Sequence, residues 1–560
     1  MHEFYQNPPL LGNQYDDDRI LKSYLSYKLP LDVFNEIHPD LQQMGERTIT
    51  DIYQLGLAAE AQPPTHIPYD AWGRRIDKIE VSHAWKSLDK ISAEEKMIAI
   101  GYERKHGEYS RIYQFAKLYL FHPSSAIYTC PLAMTDGAAR TIEMYGNEYL
   151  KQNVLPRLIS SEPDLFWTSG QWMTEKTGGS DVSGTSTIAK PDGNNFKLYG
   201  DKWFTSATTS QMAMTLARIE GAPSGSKGLS LFYLATRNEQ GNLNGIRINR
   251  LKDKLGTKAL PTAEVTLDGA MAMLVGKHGD GVKKISTLFN ITRIYNACCA
   301  VGYMRRAIAL ARDYASKRHA FGHYLSEHVL HVETLSDLQI EFEAAFHVVF
   351  HTIELLGKVE CHRATSSDNA ILRLLTSLVK LYTAKQAIVV VSEAIEAFGG
   401  AGYIEDTHLP KLLRDTQVLS IWEGTTNILC LDVLRAIQKE NVAEPFIESI
   451  KNRIDRLHLN DLQESIVIVR RAYEVLKQYL KQLELLNEQE QQVMARRLAY
   501  SLIQTYIASL LLEFAEDSFE KHNDPLPLIT AKRWSTKNLT PLLNASESYR
   551  NDSRRLGLNI

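Results

Sequence analysis

The sequence has 560 residues, of which 44% are hydrophobic and 23% are charged, proportions that are ordinary for a globular protein. At roughly 150 residues per domain, this length predicts three or four domains. The formal charge of −3 gives no global basic field that would hold nucleic acid or anionic lipid. No run of 18 consecutive apolar residues occurs, so we expect no membrane-spanning helix.

Five cysteines are scattered along the chain without a C-x-x-C pair. This pattern indicates neither a disulfide framework nor a zinc site, and it suits a reducing compartment. The first residues lack the basic and apolar segments of a secretion signal, and they carry consecutive aspartates at 16–18. We therefore expect a cytoplasmic protein.

The hydrophobic period changes along the chain and predicts four domains. Residues 1–165 show a period near 3.6, whereas 166–275 contain short β-branched and aromatic segments separated by turns. The helical period returns in 276–440 and continues through 441–560. The predicted fold class is α+β and mostly α: an N-terminal helical domain, a small β-barrel or sandwich, a four-helix bundle, and an extra C-terminal helical domain.

The helices of the predicted bundle can be placed individually. We expect them at 282–318, 329–358, 369–398 and 421–438, each with an apolar face of helical period. The tail after Pro525 is richer in turn-forming residues than the helices before it.

Three motifs have residues that suit chemistry, although each has a simpler interpretation. Segment 173–181 (Met-Thr-Glu-Lys-Thr-Gly-Gly-Ser-Asp) lets backbone N–H groups approach a phosphate or a flat ring, but most such segments are only turns. Glu423 lies between a tryptophan and a glycine, where burial would raise its pKa toward that of a general base, but a helix cap is the common case. Segment 396–403 follows a helix rather than a strand, which excludes a Rossmann fingerprint.

The histidines and arginine pairs receive structural interpretations. His347 and His351 have the spacing of a helical metal pair, but the glutamate of the zinc-protease pattern and a third ligand are missing. We interpret them, and the histidines between 319 and 331, as core or surface residues and predict no metal site. Lys and Arg balance Asp and Glu over 441–560, so this region does not favour binding to DNA.

The order and spacing of the motifs are more specific than any one of them. Segment 173–181 is followed by Lys202-Trp-Phe-Thr-Ser, Arg318-His-Ala-Phe-Gly, Phe398-Gly-Gly-Ala-Gly-Tyr and Trp422-Glu-Gly-Thr. In this arrangement the chain resembles the acyl-CoA dehydrogenase family from about residue 125 to about residue 440.

Three further segments resemble one branch of this family. They begin at Cys130, Arg250 and Asn427, and they are similar to segments of AidB, the alkylation-response flavoprotein, and its relatives. The AidB-like branch also carries a C-terminal helical extension, which would account for 441–560. The resemblance implies a homotetramer.

The resemblance implies that FAD is held between the β domain and the bundle. The implied cofactor-binding residues are Met173, Thr174, Ser180, Trp203, Phe204, Thr205, Arg318, Phe321, Glu396, Gly399, Gly400, Trp422, Thr425 and Asn427. Arg318 and Phe321 would reach the diphosphate and adenosine end, often of a neighbouring subunit's FAD, and a planar guanidinium suits a diphosphate. Ser180 and Arg293 would lie beside the acyl-CoA substrate.

By the same resemblance, Glu423 is the catalytic base. It would remove the α proton of an acyl-CoA thioester while the β hydrogen passes as hydride to flavin N5. Some members carry the base on the first bundle helix, but the corresponding residue here is Thr292, which cannot act as a base. Glu396 replaces the usual glutamine, which would alter a cofactor contact, and Trp422 replaces the commoner tyrosine, which would narrow the pocket.

Several functions and partners stay open at this point. The electron acceptor is expected to be an electron-transfer flavoprotein, with oxygen as the alternative. One rival function is an AidB-like DNA-associated stress-response flavoprotein with weak dehydrogenase activity, which the balanced charge does not favour. Another is a noncatalytic acyl-CoA-binding sensor, against which the retained Glu423 argues. The length and branching of the acyl chain depend on pocket depth, which the sequence does not specify.

Overall fold

The computed structural model describes residues 5–543 and 546–559. The N-terminal part consists of helices interrupted by one antiparallel hairpin. The helices are α1 (Arg19–Lys28), α2 (Leu31–Arg47), α3 (Asp51–Ala61), α4 (His83–Glu94), α5 (Ala99–Glu103), α6 (Ser110–Phe121), α7 (Thr129–Tyr145) and α8 (Leu155–Leu158). The hairpin strands, β1 (Thr65–Tyr69) and β2 (Arg75–Glu80), lie between α3 and α4. They correct the expectation of a purely helical region, because short and largely exposed strands carry no strong hydrophobic alternation.

The middle of the chain forms a closed seven-stranded sheet. Its strands are β3 (Ser169–Trp172), β4 (Ile188–Asp192), β5 (Asn195–Ser206), β6 (Met212–Ile219), β7 (Leu229–Ala235), β8 (Ile246–Leu251) and β9 (Thr262–Val275). Pairing runs β6–β4–β5–β9–β7 and returns to β6, with β3 added beside β6 and β8 beside β9. Phe196 and Leu198 alternate along β5 and pack inside with Phe232 and Val265. The predicted small barrel is confirmed.

The unpredicted hairpin is fixed to the barrel by two side chains, Asp77 and Arg75. Asp77 accepts a hydrogen bond from the Ile248 backbone N–H (3.1 Å), and Arg75 donates to the Ile248 carbonyl oxygen (2.7 Å). Asp77 also pairs with Arg75 (2.8 Å), so the charge of the buried carboxylate is compensated. The N-terminal helices and the barrel are therefore joined through β2 and β8.

The helical bundle follows the barrel. Its long helices are α9 (Gly281–Lys317), α10 (Val329–Glu360) and α11 (Ser366–Glu396), and the short strands β10 (His319–Ala320) and β11 (His323–Tyr324) join α9 to α10. The shorter helices α12 (Leu409–Val418) and α13 (Thr426–Lys439) complete it, and α13 packs on α11 as the fourth bundle helix. The predicted helix at 421–438 is wrong at its start, because residues 421–425 form a turn, which contains Glu423.

The C-terminal extension is helical almost to the end of the described chain. It comprises α14 (Ala443–Ile454), α15 (Gln463–Leu483), α16 (Glu488–His522), α17 (Leu526–Ser535) and α18 (Glu547–Leu558). Helix α16 packs against α10 and α13, and α17 packs against α16. The turn-rich tail after Pro525 also contains helices, α17 and α18. His351 of α10 is buried and bonds Tyr506 of α16 (3.0 Å), as expected for a core histidine.

Two helices, α11 and α16, are long and apolar enough to cross a membrane by length and composition alone. Their most apolar windows are 78% and 83% buried inside the protein, respectively. Core helices of a globular bundle have this property, because their neighbours cover the apolar surface on all sides.

A buried ion network ties the bundle to the N-terminal helices. Arg111 of α6 bonds Glu360 of α10 through two nitrogens (2.6 and 3.0 Å) and Asp136 of α7 through a third (2.8 Å). Tyr295 of α9 donates to the same Asp136 oxygen (2.8 Å). Because charges removed from water are stable only when they are paired, this network fixes the relative positions of four helices.

Replacing Arg111 with methionine should strongly destabilise the protein. Asp136 would remain buried without a cation, and Glu360 would keep only a longer contact with Arg140 (3.6 Å). We therefore expect the free energy of unfolding to fall by about 3–5 kcal/mol in a urea titration followed by circular dichroism. The control is Lys78→Met in the exposed pair Lys78–Glu80, which should change stability by less than about 0.5 kcal/mol. Equal stabilities for the two variants would contradict this assignment.

Candidate active site

Two consecutive residues in the turn between α12 and α13 have left-handed backbones. Glu423 has φ of +57° and Gly424 has φ of +102°. This region is costly for a residue with a side chain, by about 1–3 kcal/mol, and persists only where the surroundings hold it. A Cβ atom at position 424 would also approach Leu429 Cδ2 to 3.0 Å, which is a tight contact, so the conformation and the limited space both favour glycine there.

The carbonyl oxygens of this turn are bound by two cations from different helices. Arg293 of α9 donates through Nε to the Glu423 carbonyl oxygen (3.3 Å), and Lys380 of α11 donates through Nζ to the Gly424 carbonyl oxygen (2.5 Å). Arg293 is itself held by Asp432 of α13 (3.3 Å). Burial lowers the pKa of Lys380 to about 7, against the opposing charge of Glu423.

Both oxygens of the Glu423 carboxylate accept hydrogen bonds. Thr292 donates to Oε2 (2.5 Å), and Gln171 of β3 donates to Oε1 (3.4 Å). Burial raises the pKa of Glu423, and the Thr292 bond, Arg293 and Lys380 offset only part of that effect. A carboxylate with a raised pKa and a fixed orientation has the properties of a general base.

A second buried carboxylate organises the strands beside Glu423. Glu175 accepts hydrogen bonds from the N–H and hydroxyl groups of Ser186 and Thr187 and pairs with Lys202 of β5 (2.7 Å). Burial raises the pKa of Glu175, but Lys202 and these hydrogen bonds outweigh it and lower the pKa to about 2. Next to this pair, the Trp203 backbone N–H donates to the Thr174 carbonyl oxygen (2.9 Å), which brings two of the predicted flavin segments together.

The other predicted site residues on the barrel differ in accessibility. Met173 is buried, whereas the Phe204 ring is 54% exposed and Ser180 lies exposed in its glycine-containing loop. Thr205 is buried, and its hydroxyl donates to the Ala263 carbonyl oxygen (2.8 Å), so the structure turns this side chain inward. A flavin contact of the Thr205 side chain stays a prediction.

The predicted residues on the bundle fall into two separate groups. Thr425 and Asn427 are exposed beside Glu423, and Trp422 donates its indole N–H to Asn296 of α9. Arg318 and the exposed Phe321 lie at the opposite end of α9, 25 residues beyond Arg293, which corresponds to about 37 Å along a helix. The remaining three, Glu396, Gly399 and Gly400, are exposed near that end, where the Phe398 ring packs on Tyr314 (4.6 Å).

The structure adds residues that the sequence did not identify. Gln171 and Lys380 contact the Glu423 turn, and the Glu175–Lys202 pair supports the strands beside it. Gln171 lies two residues before the motif at 173–181, and Glu175 lies inside that motif, so their positions gave a signal but their partners did not. Lys380 gave no signal, because a single lysine in a helix is usually solvent-exposed.

Models of known families match the chain in consecutive blocks. The AidB N-terminal domain matches residues 6–165, and the acyl-CoA dehydrogenase middle domain matches 170–270. The acyl-CoA dehydrogenase C-terminal domain matches 279–438, and a domain like the C-terminal domain of acyl-CoA dehydrogenase 11 matches 441–559.

Full-length relatives decide the assignment. The chain is 44% identical to acyl-CoA dehydrogenase family member 11 of Caenorhabditis elegans, over 92% of this chain and 86% of that protein. The chain belongs to the acyl-CoA dehydrogenase family. It is 32% identical to the putative acyl-CoA dehydrogenase AidB of Escherichia coli, over 73% and 75% of the two chains, so it lies in the AidB-like branch.

Solved structures agree with this membership. The chain is similar to Caenorhabditis elegans ACDH-11 in complex with C11-CoA, with a TM-score of 0.97, 42% identity and coverage of 100% and 98% of the two chains. It is also similar to Bd2924 in its apo form, with a TM-score of 0.86, 49% identity and coverage of 92% and 100%. The acyl-CoA dehydrogenase of Bacillus anthracis, complexed with FAD, shares the fold at 17% identity, with a TM-score of 0.74 and coverage of 95% and 90%.

As a member of this family, the protein is a flavin-dependent oxidoreductase with FAD as its cofactor. The residues present fit this group in two separate sets, one on the barrel and one at the C-terminal end of α9. Exposed aromatic rings at Phe204 and Phe321 offer apolar faces, and a Cβ atom at Gly399 or Gly400 would meet nothing within 4 Å, so there is room for a close approach. The permanently charged Arg318 suits the diphosphate.

The pKa of Glu175 predicts how acid affects the barrel. Its folded-state pKa of about 2 lies below the unfolded value of about 4.3, so its stabilising effect is present above the unfolded pKa and is lost as the pH falls toward 2. The shift corresponds to about 3 kcal/mol. We therefore expect the stability of the unaltered protein to fall more between pH 5 and pH 2 than that of Glu175→Gln, measured by urea denaturation at each pH. Equal losses of stability with falling pH in the unaltered protein and in Glu175→Gln would contradict the assignment. The control is Glu80→Gln, which changes a carboxylate of an exposed pair.

Proposed function

We propose that the protein catalyses the α,β-dehydrogenation of an acyl-CoA thioester, with Glu423 as the base that removes the α proton. The observation that carries this proposal is the Glu423 carboxylate, which is held at both oxygens and has a raised pKa in a turn fixed by Arg293 and Lys380. A ligand-binding protein has no need of such a carboxylate. The complex of the similar ACDH-11 with C11-CoA supports an acyl-CoA as the substrate.

Each neighbour of Glu423 has a distinct part in proton removal. Thr292 and Gln171 orient the carboxylate, so that its oxygens need not reorganise when the proton is taken. Arg293 and Lys380 favour the ionised form and keep the group available as a base, while burial keeps its affinity for a proton high enough for the transfer. Bound FAD supplies the acceptor for the β hydrogen, which leaves as hydride.

The separation of the site residues supports a shared cofactor site. Arg318 lies about 37 Å along α9 from Arg293, so we propose that it contacts the FAD of a neighbouring subunit in a homotetramer. Phe321, Val329 and Leu330 are 97%, 86% and 80% exposed close to Arg318 in sequence, and exposed apolar side chains of this size indicate a surface that another chain covers. An electron-transfer flavoprotein as electron acceptor, a part in fatty acid metabolism and a cytoplasmic location stay predictions.

Glu423→Gln should abolish flavin reduction without abolishing binding. The amide retains the size of the side chain but cannot accept the α proton, so we expect the rate of flavin bleaching by acyl-CoA to fall by about 10³-fold or more. The assay is an anaerobic titration of the FAD-loaded protein with acyl-CoAs of graded chain length, read from the flavin absorbance. Binding of the same acyl-CoAs should persist in calorimetry.

The matched control is Glu405→Gln. This glutamate is 68% exposed and pairs with Arg414 rather than with a residue that bonds Glu423, so its replacement should leave the bleaching rate unchanged. If no acyl-CoA bleaches the unaltered protein although one binds, the sensor function replaces the enzyme function. If no acyl-CoA binds and the protein retards DNA in a gel with a steep salt dependence, the DNA-associated function replaces the enzyme and sensor functions.

Lys380→Met should shift the pH profile of flavin reduction. The reaction needs ionised Glu423, so the rate rises with pH through the pKa of that group. Removing the nearby cation favours protonated Glu423 and raises its pKa, and the rising limb should therefore move to higher pH. Stopped-flow bleaching between pH 5 and 9 measures the shift, and Lys78→Met is the control. A lower rate with no movement of the limb would show that Lys380 only supports the fold.

Light scattering should report a particle of four chains of 63.4 kDa each. Phe321→Glu should weaken this assembly and the retention of FAD together, because the exposed ring would no longer contact a neighbour. A stable monomer that retains FAD would contradict the shared site.

A further inference from the structure

A second cavity, of about 500 Å³, lies between the N-terminal segment, α3, α9 and the turns that follow α11. Its wall is mostly apolar and includes Leu57, Pro123, Leu310, Tyr314 and Phe398. None of its lining residues is among those proposed to contact the flavin or Glu423. The volume lies within the range of 300–1,000 Å³ that is usual for sites of small molecules.

One charged side chain in this wall is buried without an opposite charge. Arg306 of α9 is 3% exposed, and its Nη2 donates to the Ser124 hydroxyl (2.8 Å). Its Nε atom has no hydrogen-bond partner in the described part of the chain. Burial lowers the pKa of Arg306 to about 10, and the nearby Tyr53 and Tyr303 offset only part of this effect.

Arg111 is a buried arginine with a structural role in the same chain, and its partners differ from those of Arg306. Its guanidinium is also buried, but it bonds two carboxylates through three nitrogens. Fully buried arginines are normally paired in this way, because desolvation of an unpaired charge is costly. Arg306 bonds the Ser124 hydroxyl and lies over the Tyr53 ring (6.0 Å), but no carboxylate in the described part of the chain pairs with it where it borders the mostly apolar cavity.

The backbone beside Arg306 is strained. Ala126, which lines the cavity, has φ of +47°, and Ile127 has φ of +63°. A left-handed β-branched residue is a genuine outlier, and such residues cluster where ligands bind or segments move. The turn leads directly into α7, which begins at Thr129.

We propose that this cavity is a binding site for a small amphipathic anion, a carboxylate with an apolar body. The carboxylate would pair with the Arg306 guanidinium, whose planar donors match it, and the apolar body would lie against Leu57, Leu310 and Phe398. Entry would be from the exposed side at 406–408, which also lines the cavity. The site is separate from the base turn and does not depend on the proposed dehydrogenation.

The test is calorimetric titration of the FAD-loaded protein with decanoate, and with decan-1-ol as the neutral probe of equal length. We expect one decanoate per chain and much weaker binding of the alcohol. Arg306→Met removes the charge but keeps an apolar stem of similar length, and it should weaken decanoate binding at least about tenfold. Leu310→Trp leaves Arg306 in place and fills the cavity, so it should also block binding, whether or not Arg306→Met folds.

The titration is repeated with Glu423→Gln protein saturated with acyl-CoA, to separate this cavity from the acyl site. Decanoate should bind this protein as it binds the unaltered one. The proposal is overturned if the unaltered protein does not bind decanoate, if the alcohol binds equally well, if both variants bind decanoate unchanged, or if acyl-CoA displaces decanoate. A protein that binds decanoate but never bleaches with acyl-CoA would retain this site and lose the proposed enzyme function.

Discussion

The position of Glu423, the proposed base, depends on a backbone conformation that the local sequence does not favour. Glu423 and Gly424 are both left-handed, and a glutamate in that region is strained. The turn persists because Arg293 and Lys380 bind its two carbonyl oxygens, while Thr292 and Gln171 bind the carboxylate. These partners come from α9, α11 and β3, so the barrel and the bundle must both be in place before the Glu423 carboxylate is oriented.

The C-terminal extension contributes to this constraint indirectly. Helix α13 begins directly after the Glu423 turn, and its Asp432 holds Arg293 and also pairs with Arg373 of α11 (3.0 Å). The opposite side of α13 packs on α16 of the extension. The extension therefore supports the helix that carries one end of the turn, which gives residues 441–560 a structural role whatever else they bind.

The buried cations of this protein differ in how completely they are compensated. Arg111 has two carboxylates and Lys202 has one, and both serve to fix elements of the fold. Lys254 and Lys380 bond mainly to carbonyl oxygens, and burial lowers their pKa values to about 8 and about 7. A cation that is not fully compensated can stabilise a further negative charge. Lys380 stabilises ionised Glu423, and Arg306 is proposed to pair with a bound anion.

The sequence by itself determined the order of the domains, the barrel, the position of Glu423 in its motif and membership of the family, because hydrophobic period and motif spacing are properties of neighbouring residues. It did not predict the β1–β2 hairpin, whose strands are short and stabilised by Ile248 of a distant strand. It also did not reveal that Gln171 would reach Glu423 across 252 residues, or that Lys380 would bind the Gly424 carbonyl oxygen across 44. Only the tertiary structure decided these contacts, because burial, strain and hydrogen-bond partners arise from packing between elements that local sequence patterns do not relate.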